Sequence, residues 1–307
     1  MIELRGVTKT YRSEFLRRLR PVLRGVDLVV RRGETYALLG ANGEGKTTIM
    51  KIVLDLIRPD RGEVIVDGLP ASDPKARRRV AFLPEHPYFF PHLTGEELVV
   101  YYGRLSGLGG REAAEKAGRW LDRVRIGEAR RRPVRTYSKG MLQRVGFAQA
   151  LVSDPELLVL DEPLSGLDPV GRREMRDLIG ELKDRGATIF LTSHILEDVE
   201  RLSDRAGFLA DGRIRREVEG RETGRLEVHV AGLDVEAVRL GELDAQRIAL
   251  SGEHVLVSLG SEEELPRLSE TLRTRGGRIL KVEPRRESLE EIFIEHVRAR
   301  EEEREPA

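Results

Sequence analysis

Residues 40 to 48, Gly40-Ala41-Asn42-Gly43-Glu44-Gly45-Lys46-Thr47-Thr48, place glycines at spaced positions just ahead of a lysine and two hydroxyls. The spacing G-x-x-x-x-G-K-[ST] lets consecutive backbone N–H groups turn inward around phosphate oxygens, at the positive end of a following helix. Lys46 would reach the β- and γ-phosphates of a nucleotide, and the Thr47 hydroxyl would bind Mg²⁺. A chance glycine-rich turn is the plain alternative. Glu44 brings a carboxylate beside a polyanion and is expected to point outward. A second cluster ends an apolar run, Leu157-Leu158-Val159-Leu160-Asp161-Glu162. Side chains alternate along a strand, so two carboxylates at its end face different ways. Such a pair suits two tasks: Asp161 holding Mg²⁺ at the phosphates, and Glu162 polarising an attacking water. A solvated pair of loop acids is the alternative here.

These residues need elements to position them. Residues 35–39 read as a strand running into the glycine-rich turn, and residues 46–56 as the helix that follows it. Strands are expected at residues 2–7, 26–30, 63–66 and 79–83, with buried strands at 157–160 and 188–192. Helical periodicity occupies residues 96–104, 113–124, 141–152 and 172–185. Strands alternating with helices predict a parallel sheet covered by helices and interrupted by a helical insertion. Beyond residue 213 the order becomes β (226–230), α (235–240), β (247–250), β (255–259), α (262–275) and β (278–282), the ferredoxin-like βαββαβ pattern. A helix at 289–300 and a charged tail complete the chain. The basic stretch 12–20 reads as an extended surface hairpin, or else as a contact for lipid headgroups or a partner.

Composition narrows the classes. The chain has 307 residues, no cysteine, and 53 basic against 53 acidic side chains. Disulfides, thiolate zinc sites and cysteine nucleophiles are therefore excluded. The stretches free of charge, such as residues 86–95 and 186–196, are about ten residues long, and a spanning helix needs about 20. The first residues lack the apolar core of a signal peptide. The expectation is a cytoplasmic protein. Residues 219–307 carry 14 basic and 21 acidic side chains, leaving 39 and 32 in residues 1–218. Neutrality is thus a balance of two oppositely charged parts, which suggests two modules.

Taken together, the motifs resemble those of the nucleotide-binding subunit of an ABC transporter, over residues 1 to about 215. Five further stretches carry the resemblance in the right order. Tyr11 matches the aromatic that stacks on adenine. Leu83-Pro84-Glu85 matches the loop joining the two subdomains, and Tyr137-Ser138-Lys139-Gly140-Met141 the family signature. Ser165-Gly166-Leu167-Asp168 matches the loop after the acidic strand, and Thr192-Ser193-His194 the switch histidine. The resemblance implies an α/β P-loop ATPase domain over 1–218, with a helical subdomain at about 86–155. A small α+β accessory domain at 219–300 and a charged tail at 301–307 would follow.

It also implies roles. Asn42, Gly43, Gly45, Lys46, Thr47 and Thr48 would bind ATP, with Tyr11 on the adenine. Thr47, Asp161 and Glu85 would hold Mg²⁺. Glu162 and His194 would act on the attacking water, together with Glu85. Ser138 and Gly140 would complete the site of a second copy, so that a homodimer or a paired nucleotide-binding subunit sandwiches two ATP molecules. Two stretches depart from the usual pattern: the signature, with Lys139 and Met141, and the subdomain loop, with Glu85 where glutamine is usual. Both, with Ser288-Leu289-Glu290-Glu291-Ile292-Phe293, resemble the branch serving drug, lipid and polysaccharide exporters with six-helix permeases. Residues 86–91, His86-Pro87-Tyr88-Phe89-Phe90-Pro91, either pack in the core or receive an integral-membrane permease. The expected function is an Mg-dependent ATP hydrolase that drives export from the cytoplasmic face of the membrane, without nucleic acid. The alternative is a soluble ABC ATPase acting on a ribosome or nucleic-acid complex. A dimerisation or regulatory role is expected for the accessory domain.

Overall fold

The computed structural model describes residues 1–12, 19–219, 226–232, 247–251, 254–259, 261–274 and 276–284. The chain divides into two units, Met1–Glu219 and Gly220–Ala307.

The first unit is built on two sheets. Strands β1 (Ile2–Arg12), β2 (Leu19–Val30), β4 (Arg61–Val66) and β5 (Leu69–Pro70) form an antiparallel sheet in the order β2-β1-β4-β5. The other sheet runs β10-β9-β3-β8-β7-β6. Its members are β3 (Thr35–Leu39), β6 (Val80–Leu83), β7 (Leu157–Leu160), β8 (Thr188–Thr192), β9 (Arg205–Ala210) and β10 (Arg213–Glu219). All of these neighbours are parallel except the β9–β10 hairpin at the edge. Every residue of β3, β7 and β8 is buried. That explains their uninterrupted apolar reading, because a parallel sheet is covered on both faces. Hairpin β9–β10 went unread from sequence, and β1 and β2 are longer than expected.

Helix α1 (Lys46–Val53) packs Ile49, Met50, Ile52 and Val53 into the core between the sheets. Each such fully buried aliphatic side chain contributes about 1.5–3 kcal/mol. The helix stops three residues short of the expected Leu56. Asp55 adopts φ 52°, and the bonds from Leu56 N to Lys51 O (2.8 Å) and Asp55 N to Ile52 O (3.0 Å) close it. This is the Schellman pattern, with aspartate in the left-handed position more often held by glycine.

Helices α2 (Gly95–Leu105), α3 (Gly110–Arg123) and α4 (Lys139–Leu151) form the insertion between β6 and β7. A reciprocal capping box between Thr94 and Glu97 starts α2. Helix α5 (Pro169–Asp184) is capped by the Asp168 carboxylate, with proline at the first turn. Helix α6 (Leu196–Leu202) follows β8.

The second unit is an antiparallel sheet ordered β12-β13-β11-β14, from β11 (Leu226–Ala231), β12 (Arg247–Ser251), β13 (His254–Leu259) and β14 (Arg278–Pro284). Helix α7 (Leu265–Thr274) joins β13 to β14. Leu268 and Leu272, one helical turn apart, pack with Val228, Val230, Val255 and Val257 from alternate strand positions. Strand order and sense match the ferredoxin-like pattern. The expected helix at 235–240, the helix at 289–300, the tail and the Ser288–Phe293 stretch lie outside the described residues, as does the centre of the basic stretch 12–20. Among the described residues no helix is long and apolar enough to cross a membrane.

Candidate active site

The ends of β3, β6, β7 and β8 meet at the first turn of α1, as ligand sites do at the carboxyl ends of parallel strands. They surround a cavity of about 530 Å³ lined by Arg20, Val22, Asn42, Gly43, Gly45, Lys46, Thr47, Thr48, Glu85, Asp161, Glu162 and His194. The phosphate loop leaves β3 tightly packed. A side chain at Gly40 would put Cβ 2.6 Å from the Leu209 carbonyl oxygen, and Gly45 has φ 113°, with its Cβ position 2.8 Å from Leu23 Cδ2. Only glycine fits either place. Lys46 is buried and donates to the carbonyls of Gly40 (2.6 Å) and Ala41 (3.2 Å). Glu44 turns away from the cavity, though not into solvent. Its carboxylate accepts a bond from Asp211 N (2.6 Å), tying the loop to the β9–β10 turn.

Hydroxyls and an imidazole organise the acidic side. Thr47 Oγ1 donates to Asp161 Oδ2 (2.9 Å), and Thr192 Oγ1 donates to Asp161 Oδ1 (2.7 Å). Thr192 Oγ1 also accepts from Glu162 N (2.9 Å). Glu162 needs that hold, because its φ of 48° is a left-handed value rare for a residue with a β-carbon. His194 Nδ1 lies 2.7 Å from Glu162 Oε2, so the imidazole donates to the carboxylate from one nitrogen and keeps the other for a ligand. Glu162 is 8% exposed, whereas the His194 side chain is 58% exposed. The carboxylate is sheltered and the histidine beside it reaches outward. Glu85 stands at the end of β6, with His86 Nδ1 3.7 Å from its carboxylate.

Three expected residues lie outside this lining. Tyr11, at the end of β1, is half-exposed, with the Lys9 ammonium 5.9 Å from its ring centre. Ser138 caps α4, its Oγ accepting from Met141 N (3.2 Å). Gly140 stands against the Gly166 carbonyl, 3.3 Å from where a Cβ would be. Two side chains join this helix start to the loop after β7. Gln143 Nε2 donates to Pro163 O (2.8 Å) from a fully buried position, and Lys139 Nζ donates to Ser165 Oγ (3.2 Å). Sequence reasoning did not anticipate Arg20, Val22, Thr192 as a bridge, or Gln143. For Arg20 the available signal was its place in the basic stretch, read as a surface hairpin or as a contact for lipid headgroups or a partner. The cluster 86–91 divides. Phe89 packs edge-on against Tyr102 (6.4 Å) and near Gly146, while Tyr88 is 95% exposed and Phe90 45%. Phe90 meets Tyr101 edge-on at 5.6 Å.

A glycine loop at a helix start, two carboxylates just past the end of β7 and a histidine against one of them define a P-loop nucleotide hydrolase. Comparison with known proteins narrows the class. The family model described as ABC transporter matches residues 23–165. The model for the C-terminal domain of DrrA1-3-like ATP-binding proteins matches residues 212–297. An uncharacterised ABC transporter ATP-binding protein of Synechocystis is 38% identical, over 98% of this chain and 85% of its own. The daunorubicin resistance ATP-binding protein DrrA3 of Streptomyces coeruleorubidus is 34% identical, over 89% of this chain and 90% of its own. Among solved structures, the ATP-binding cassette MJ0796, a dimer in a post-hydrolysis state bound to ADP and Pi, superposes with a TM-score of 0.67 and 26% identity. That likeness covers 72% of this chain and 99% of the cassette. The chain belongs to the ABC transporter ATP-binding proteins, ATP hydrolases coupled to transport.

Proposed function

We propose that this chain is the ATP-hydrolysing subunit of an exporter, acting in pairs on the cytoplasmic face of the membrane through a separate permease. The observation that carries this reading is the 2.7 Å contact of His194 with Glu162 at the edge of the phosphate-loop cavity. Asn42, Gly43, Gly45, Lys46, Thr47 and Thr48 bind the phosphates, and Tyr11 covers the adenine. Thr47, Asp161 and Glu85 present hydroxyl and carboxylate oxygens on one side of the cavity, a donor set that fits Mg²⁺ shared with nucleotide phosphates. When bound there, the ion would neutralise charge on the phosphate chain.

Glu162 accepts a proton from a water as its oxygen bonds to the γ-phosphorus and the bond to the ADP oxygen breaks. His194, fixed by Glu162, orients that water and the γ-phosphate. Ser138 and Gly140 open a helix and present a hydroxyl and N–H groups, which complete the site of the opposing copy. The dimeric cassette MJ0796 supports this pairing. Tyr88 and Phe90, exposed beside Glu85, give the permease an apolar contact next to the cavity. The relatives' names, one of them a drug-resistance protein, favour export over action on ribosomes or nucleic acid.

Purification of the full chain from detergent-solubilised membranes tests this reading. An integral-membrane protein recovered in fixed ratio is the expected result. Ribosomal or nucleic-acid complexes recovered in its place would contradict it.

A further inference from the structure

Two lining residues of the cavity, Arg20 and Val22, come from the antiparallel sheet. Both belong to β2, where the register with β1 shifts between the Lys9–Leu23 and Thr10–Pro21 pairs. Val22 Cγ1 lies 3.0 Å from where a Gly45 Cβ would stand, and Arg20 Nη2 lies 3.6 Å from the corresponding point at Gly43. The strand therefore runs along the phosphate loop and lays a guanidinium over its turn.

The register adds a second fact. Arg20 is the direct cross-strand partner of Tyr11 in the β1–β2 hairpin. Side chains directly opposite on antiparallel strands emerge on the same face. The ring assigned to adenine and the guanidinium at the phosphate loop are thus neighbours on one face. Among the described residues no carboxylate pairs with Arg20. Its five N–H donors match phosphate oxygens in a fork.

We propose that Arg20 is a second phosphate-binding cation of this cavity, so that one hairpin grips one nucleotide twice, the base through Tyr11 and the polyphosphate through Arg20. This rests on reading the cavity as the ATP site. The ligand class is an adenosine di- or triphosphate, and Arg20 favours it over nucleosides. Its place on β2 adds a second positive charge to the cavity that Lys46 lines.

Calorimetric titration of the full chain with ATP, and separately with inorganic triphosphate, tests the proposal in wild type, Arg20→Ala, Arg20→Lys and Tyr11→Ala. Arg20→Ala is expected to weaken both ligands about tenfold, the scale of a lost hydrogen bond to a charged group. Arg20→Lys should recover part of the loss, because it restores the charge without the fork. Tyr11→Ala should weaken ATP and leave triphosphate unchanged. Triphosphate affinity unaltered by Arg20→Ala would overturn the proposal, whether or not ATP affinity falls. Lys46→Ala separates the two levels of the argument. If it binds ATP like wild type, the cavity is not the ATP site. If it loses ATP while Arg20→Ala matches wild type for both ligands, the site stands and the role of Arg20 fails.

Discussion

Thr192 carries no charge, yet its single hydroxyl holds the two acids that follow β7, donating to Asp161 and accepting from the Glu162 backbone. Thr192→Val keeps the shape and removes both bonds. Loss of hydrogen bonds to buried partners costs about 1–3 kcal/mol of stability. The ATPase rate should fall by about tenfold to a hundredfold, because a displaced base loses its line on the water. Steady-state hydrolysis read beside a urea midpoint separates the two effects. Tyr36 offers a test by pH. Burial, and then its bond to Glu217 (2.6 Å), push the phenol well above its ordinary value of 10.0. The folded state therefore keeps a proton that the unfolded chain releases. Stability is full below 10.0 and falls as pH rises beyond it, by about 1.4 kcal/mol per pH unit. Urea midpoints across that range should show this fall in wild type and a shallower one in Tyr36→Phe. At this scale the sequence was informative where chemistry is contiguous, as in residues 40–48 and 161–162. Arg20 and Thr192 were hidden because their partners are distant in the chain, and neither residue type announces a bridge.

Among the elements, helices α5 and α6 illustrate how the loop bearing His194 is held. Asp198 on α6 is 3% exposed at its side chain and meets Arg172 at 2.6 Å and Arg176 at 3.2 Å, both on α5. The carboxylate is enclosed, whereas the arginines are 30% and 19% exposed. Removing the two sides should therefore have unequal effects. Arg172→Ala with Arg176→Ala strands a buried charge and should cost about 3–5 kcal/mol. Asp198→Ala leaves two arginines able to turn to water and should cost less. Denaturant titration of the three proteins gives the comparison, and equal losses would contradict it. The buried strands 157–160 and 188–192 were read to the residue, since enclosure on both faces leaves an apolar run. The end of α1 was not, because a left-handed aspartate closes it where glycine would have been the signal. Strand β10, at a sheet edge, is exposed and charged except at the half-buried Ile214 and Val218, a pattern weak enough to pass for a loop.

For the molecule as a whole, the neutral total of 53 basic and 53 acidic groups is a balance of unlike units. One is a phosphate-handling cassette and the other a small antiparallel sheet whose order follows the ferredoxin-like pattern. That second fold was legible from element order alone, while its role was not, because the same fold serves many tasks. The central claim is that Glu162 removes the proton from water in a site completed by a second copy. Glu162→Gln tests it most directly, with ATP turnover and sedimentation measured on the same sample. Turnover should fall by about a hundredfold or more, the usual contribution of a general base, and ATP should drive the variant into a stable dimer. Wild-type turnover, or a monomer at saturating ATP, would contradict the account.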